Sequence, residues 1–165
     1  MSPGGIFRPG MRGYFVPFAA GIVLAVSAWL PWVVVGDVSI RGVPDVPALW
    51  VLGLGAIAAA LAMLSLITRR NSRHPLLIVG LFALGIMFLS WRIMPRTAGE
   101  RALTISQAFA IVENTPMTTT PTAVVGVGIY IGLVSASVLV AFGLTIVVKR
   151  VATPYVALSP DDDVD

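Results

Sequence analysis

Four long apolar runs, at about 15–35, 47–68, 75–94 and 123–148, leave this chain few ways to fold. A helix needs about 20 mostly apolar residues to cross the hydrocarbon core of a bilayer. The third run is the shortest and ends at Trp91 or, at the furthest, Met94. None of the four has a charged residue in its middle. Pro17, Pro47 and Pro75 stand near the starts of the first three, where a missing N–H costs a helix little.

Composition agrees. Of the residues, 57% are hydrophobic and 12% charged, against about 25% charged in a soluble domain. The sequence therefore predicts an all-α membrane protein, with four transmembrane helices in one bundle over residues 1–150. A tail at 151–165, "ATPYVALSPDDDVD" after Val151, carries four Asp and reads as a solvated acidic segment.

Basic residues set the orientation. Arg8 and Arg12 precede the first run, "TRRNSRH" joins the second to the third, and Lys149 and Arg150 follow the fourth. The opposite side carries Arg41, Arg92, Arg96 and Arg101. The larger group marks the cytoplasmic face, so both termini are expected there, in a bacterial inner membrane. Basic residues placed beside apolar runs are membrane flanks, and no nucleic-acid surface is expected. "VSA" before Trp29 offers the small residues of a signal cleavage site, but the apolar run continues through "WLPWVVV", unlike a cleavage region.

The stretch "AWLPWVVVGDVSIRGV" changes character part-way. Pro31 cannot donate to a helical ladder, so it kinks or ends the first helix. Beyond it, β-branched residues flank Gly36-Asp37, a two-residue hairpin signal. A hairpin pairing 33–35 with 38–40 is expected on the outer face, with a longer helix and an irregular loop as the alternative.

All four tryptophans, Trp29, Trp32, Trp50 and Trp91, fall at the outer ends of runs. Indole has an apolar body and one N–H, so it favours the headgroup level. The plain reading is an anchoring belt. The sharper one is an aromatic pocket for a lipid, a quinone or a partner. Arg92 and Arg96 beside Trp91, with Arg41 and Arg101, would form a basic outer rim. Such a rim can snorkel to lipid headgroups or grip an anion.

Between the third and fourth runs, Ala102, Ile105, Ala108, Phe109 and Val112 recur at helical spacing. A separate amphipathic helix at about 100–113 is expected, lying on the outer membrane surface or on a partner. "NTPMTTTPT" would link it back to the fourth run.

Helices in lipid associate through small residues. Gly128, Gly132 and Ala136 recur every four residues; Gly21 and Ala25, Gly80 and Gly85, and an alanine-rich second run give each helix a small face. These faces serve either the bundle itself or docking to a larger complex.

Catalytic signatures are missing. The chain has no cysteine, and its one histidine, His74, lies in an expected cytoplasmic loop. No run carries an axial ligand for haem, no metal-ligand spacing occurs, and no ionisable pair sits mid-membrane. No cofactor, metal or enzymatic activity is expected.

The layout resembles a widespread class of small bacterial four-helix membrane proteins of unknown function. "WLPWVVVGDVSIRG", followed by an Ala- and Leu-rich helix, carries that likeness. More weakly, "PALWVLGLGAIAAALAML" resembles the tryptophan-biosynthesis-associated membrane proteins of actinobacteria. Neither resemblance implies a catalytic residue. The function expected is a non-catalytic accessory or structural subunit of a larger inner-membrane complex. Energy-converting and photosynthetic complexes are the examples considered, and membrane lipids and other integral subunits are the expected partners. A transporter component and a lipid- or envelope-binding protein are the alternatives.

Overall fold

A computed structural model describes residues 12–68, 73–114 and 122–151. It contains four helices: α1 (Phe15–Ser27), α2 (Val46–Thr68), α3 (Arg73–Glu113) and α4 (Val127–Val151). Three strands, β1 (Pro31–Val35), β2 (Val38–Arg41) and β3 (Ala123–Val125), form one small sheet in the order β2-β1-β3. Each helix packs on its sequence neighbours, and α4 closes the ring against α1. Three helices, α2, α3 and α4, are long and apolar enough to cross a membrane. The expected acidic tail and the link at 115–121 lie outside the described residues.

The first expected span is shortened by its own sequence. α1 has 13 residues, about 20 Å at ~1.5 Å per residue. Its last turn tightens: the amides of Ala28, Trp29 and Leu30 donate to the carbonyls three residues back, Ala25, Val26 and Ser27. Pro31 then disfavours a helical conformation at Leu30 and has no N–H of its own. The β-branched run Val33-Val34-Val35 continues as strand, where such side chains fit well. The expectation of a helix to residue 35 is thus corrected to a helix to Ser27 and a strand from Pro31.

The hairpin pairs Val35 with Val38 and Val33 with Ile40, with an irregularity between Pro31 and Val33. Gly36 takes a positive φ of 58° in the turn, a conformation that costs glycine nothing. A third strand, for which the sequence carries no local signal, completes the sheet. Ala123–Val125 pairs antiparallel with β1, placing Val125 opposite Val33 and Ala123 opposite Val35. These residues begin the fourth apolar run, so the helix α4 starts only at Val127.

α3 corrects the expectation of a separate outer helix. It runs unbroken for 41 residues through Pro95, about 60 Å by its rise. That is roughly twice the hydrocarbon thickness. Proline removes one ladder bond and crowds the preceding turn. In that turn the Thr97 hydroxyl donates to the carbonyls of Ile93 (3.3 Å) and Met94 (3.1 Å). Beyond Pro95 the helix leans on the sheet: a methyl at Gly99 would meet Ala123 Cβ at 3.6 Å.

The core is a column of apolar side chains, including Leu24, Val51, Leu76, Met87, Ile129 and Leu139, all fully buried. Close approaches between helices are made at small residues. Gly21 of α1 and Gly55 of α2 face each other. A Cβ at Gly21 would lie 2.7 Å from Ala59 N, and one at Gly55 would lie 2.6 Å from Ala25 N. Outward faces are apolar too, with Ile22, Ile57, Phe82, Leu89 and Val134 all exposed.

Candidate functional site

The expected tryptophan belt divides in two. Trp29 and Trp50 are exposed at the sheet end of the bundle, 49% and 63%. Trp91 is half-buried and stacks, tilted, on Phe88 at 5.8 Å. Trp32 is different: it is 1% exposed. Its Nε1–H donates to the Ser27 carbonyl at 2.9 Å. Two glycines make room for the indole. A Cβ at Gly42 would lie 2.6 Å from Trp32 Cε2, and one at Gly128 would lie 2.7 Å from its Cδ1. Trp32 therefore joins the hairpin to the helix ends and belongs to the core rather than the surface. Sequence alone did not separate it from Trp29, because strand alternation begins only at Pro31.

The small-residue stripe of α4 also points inward. Gly128 faces Trp32, Gly132 faces Met87 of α3 and Ser27 of α1, and Ala136 is fully buried. On the α3–α4 contact, Gly143 approaches Leu77 and Gly80 approaches Val140 in the same way.

Arg41, Arg92 and Arg96 are exposed, and none of them lines a described cavity. What the sheet end does contain is a pair of adjoining hollows. The lower one, about 500 Å³, lies between Trp50 of α2 and Phe82, Ile86, Leu89 and Ile93 of α3. Ser90 gives it a single hydroxyl. The upper one, about 680 Å³, lies between the sheet and the part of α3 beyond Pro95. Asp45, Thr97 and Arg101 bring polarity to it, while Val33, Val38 and Ile105 keep its walls apolar. Val46, Pro47 and Met94 line both.

Asp45 was missed in the sequence. It immediately precedes α2, and its carbonyl accepts from the Leu49 amide at 3.1 Å. Aspartate before an apolar helical run is a helix-start signal, but nothing local tells that α3 will bring Arg101 to the same hollow.

No carboxylate, histidine, lysine or arginine is among the buried residues described. The buried polar side chains are Ser27, Ser65, Ser90 and Ser135. Three of these hydroxyls donate within their own helix: Ser27 to the Leu24 carbonyl (2.6 Å), Ser65 to Leu61 (2.9 Å) and Ser135 to Ile131 (2.8 Å). Among the described residues no group of three or more His, Cys, Asp or Glu is placed to hold a metal.

The outer end of α3 carries an exposed apolar stripe that starts at the wall of the upper hollow and runs on past the sheet. Ile105, Phe109 and Val112 lie on one face and are 57%, 63% and 82% exposed. Comparison with protein-family models, curated proteins and solved structures finds no match to this chain.

Proposed function

We propose that this protein is a non-catalytic accessory subunit of a larger bacterial inner-membrane complex, anchored by its bundle and docked through the projecting end of α3. The observation that carries this reading is the stripe Ile105, Phe109 and Val112. Ile105 borders the upper hollow, while Phe109 and Val112 continue the stripe past it; contiguous exposed apolar surface of this kind marks an interaction site. A helix whose apolar residues lie at i, i+4 and i+7 is suited to a groove on a partner.

The apolar outward faces of α2, α3 and α4 support a bundle solvated by lipid. Only 28%, 28% and 39% of their most apolar stretches are buried within the protein. α1 completes the bundle, with the turn at 28–30 and β1 continuing its path at the outer end. The larger basic group in the sequence, Arg8, Arg12, Arg69, Arg70, Arg73, Lys149 and Arg150, flanks the opposite ends of the apolar runs and outnumbers Arg41, Arg92, Arg96 and Arg101, so the sheet and the arm of α3 face away from the cytoplasm.

A transport path receives less support. Of the polar residues on α4, Tyr130, Ser137 and Thr145 are exposed on the outside, and Ser135 is satisfied within its helix. They do not line one internal channel.

The test is gentle extraction from the native membrane, native-gel sizing and mass spectrometry of co-migrating proteins. The protein is expected in a large assembly at fixed stoichiometry, and a Phe109→Ser, Val112→Ser variant is expected to leave it while remaining folded. Migration alone, or as a small homo-oligomer, contradicts the reading.

A further inference from the structure

We propose that the two adjoining hollows at the sheet end hold one phospholipid with a phosphoethanolamine head, an acyl chain lying in the lower hollow and the head between Asp45 and Arg101 in the upper. This rests on the membrane-spanning reading, but not on docking to a larger complex.

The polarity is graded along the protein. The lower hollow is walled by Trp50, Phe82, Ile86, Leu89 and Ile93, with one hydroxyl from Ser90. Such a lining offers an acyl chain dispersion contacts and little else. The upper hollow begins at the shared wall of Val46, Pro47 and Met94 and adds one carboxylate and one guanidinium. Arg101 lies seven residues beyond Met94 on the same helix, about 10 Å along the axis. That rise carries its backbone to the outer margin of the headgroup layer, which adds roughly 5–8 Å on each side of the core, and its long side chain can reach back to the heads.

The two charges select the head. Guanidinium presents a planar fork of donors that matches a phosphate in bidentate fashion. Carboxylate only accepts, so it favours a neighbour with N–H donors. A primary ammonium supplies these; the quaternary ammonium of a choline head has none, and a glycerol head brings no positive charge. A head with phosphate and primary amine therefore satisfies both Arg101 and Asp45. Thr97, in the same hollow, already spends its hydroxyl proton on the carbonyls of Ile93 and Met94. Its oxygen remains able to accept from the amine.

The experiment is native mass spectrometry of the full chain purified in mild detergent. Phosphatidylethanolamine, phosphatidylglycerol and phosphatidylcholine with identical chains are supplied in equal amounts. The wild-type protein is expected to retain phosphatidylethanolamine roughly tenfold over the other two, the factor of one charge-assisted hydrogen bond. Arg101→Gln is expected to lower retention of all three. Asp45→Asn, which keeps a good residue at the start of α2, is expected to keep binding but lose the preference over phosphatidylglycerol. Ile86→Trp, which fills the lower hollow, should displace lipid whatever its head. Equal retention of the three lipids, total retention unmoved by Arg101→Gln, or a preference unmoved by Asp45→Asn overturns the site while leaving the membrane reading intact. Recovery of the chain in the soluble fraction overturns the membrane reading and the site with it.

Discussion

Gly21 and Gly55 meet across the α1–α2 contact with no room for a methyl group on either side. A Cβ at Gly21 would lie 3.0 Å from the Gly55 carbonyl oxygen, and one at Gly55 would lie 2.8 Å from that of Gly21. Each is followed four residues later by alanine, Ala25 and Ala59, whose backbones complete the contact. The obstacles are backbone atoms, which cannot rotate away. Without a hydrophobic drive between helices in lipid, such close packing is a main source of association.

Gly21→Ala and Gly55→Ala should therefore each destabilise the bundle by about 1–3 kcal/mol, the usual cost of overpacking. Gly53 and Gly85, also helical, have nothing within 4 Å of a built Cβ. Gly53→Ala and Gly85→Ala should be neutral or stabilising by up to ~1 kcal/mol, the difference in helix propensity. Unfolding in mild detergent, followed by thermal or denaturant titration, compares the four variants.

Trp32 and Trp29 should differ sharply although they stand three residues apart. Trp32→Ala empties a fully buried site and should cost about 3–5 kcal/mol. Trp32→Phe loses the bond to the Ser27 carbonyl, but that oxygen still accepts from the Leu30 amide at 3.2 Å. No acceptor is orphaned, so the hydrogen-bond loss should stay near ~1 kcal/mol. Trp29→Ala, at a surface site, should stay within about 0.5 kcal/mol. The same unfolding measurement separates these outcomes.

Pro95→Ala should stabilise α3. It restores an N–H to the ladder and removes a ring from the preceding turn, changes worth up to about 3 kcal/mol in a helix interior. Hydrogen exchange of the amides around Pro95 should slow in the variant; unchanged or faster exchange would contradict a local cost of proline in α3.

Gly36→Ala should cost about 1 kcal/mol through backbone conformation alone, because nothing lies within 4 Å of a Cβ there. Gly36→Asn should cost less, since asparagine tolerates positive φ. A larger loss in stability for either would contradict a turn open to solvent.

The long apolar runs and the Gly36-Asp37 turn were legible because they are local signals. Helical length and hairpin chemistry act within a few residues, and the hairpin and α2 stand where those signals point, while α1 ends early at Ser27 and α4 starts late at Val127. Two features were not legible for a shared reason. β3 depends on β1, about 90 residues away, so Ala123-Val124-Val125 reads as the start of a helix until its partner strand is known. Continuity of α3 through Pro95 depends on packing against the sheet, which outweighs the local penalty of proline. The candidate site was legible only in part: Trp50 and Arg101 belonged to the expected rim, while Asp45 and Thr97 join it through the meeting of α2, α3 and the sheet.

The central claim is that the sheet and the arm of α3 share one aqueous face, with the far end of α2 on the other. The chain has no native cysteine, so single cysteines report without interference. Ser39→Cys in β2, Gln107→Cys on the arm and Thr68→Cys at the end of α2 all place the thiol at exposed positions. In intact spheroplasts, a membrane-impermeant maleimide should label Ser39→Cys and Gln107→Cys, and should label Thr68→Cys only after permeabilisation. Equal labelling of Thr68→Cys in sealed spheroplasts would contradict the claim.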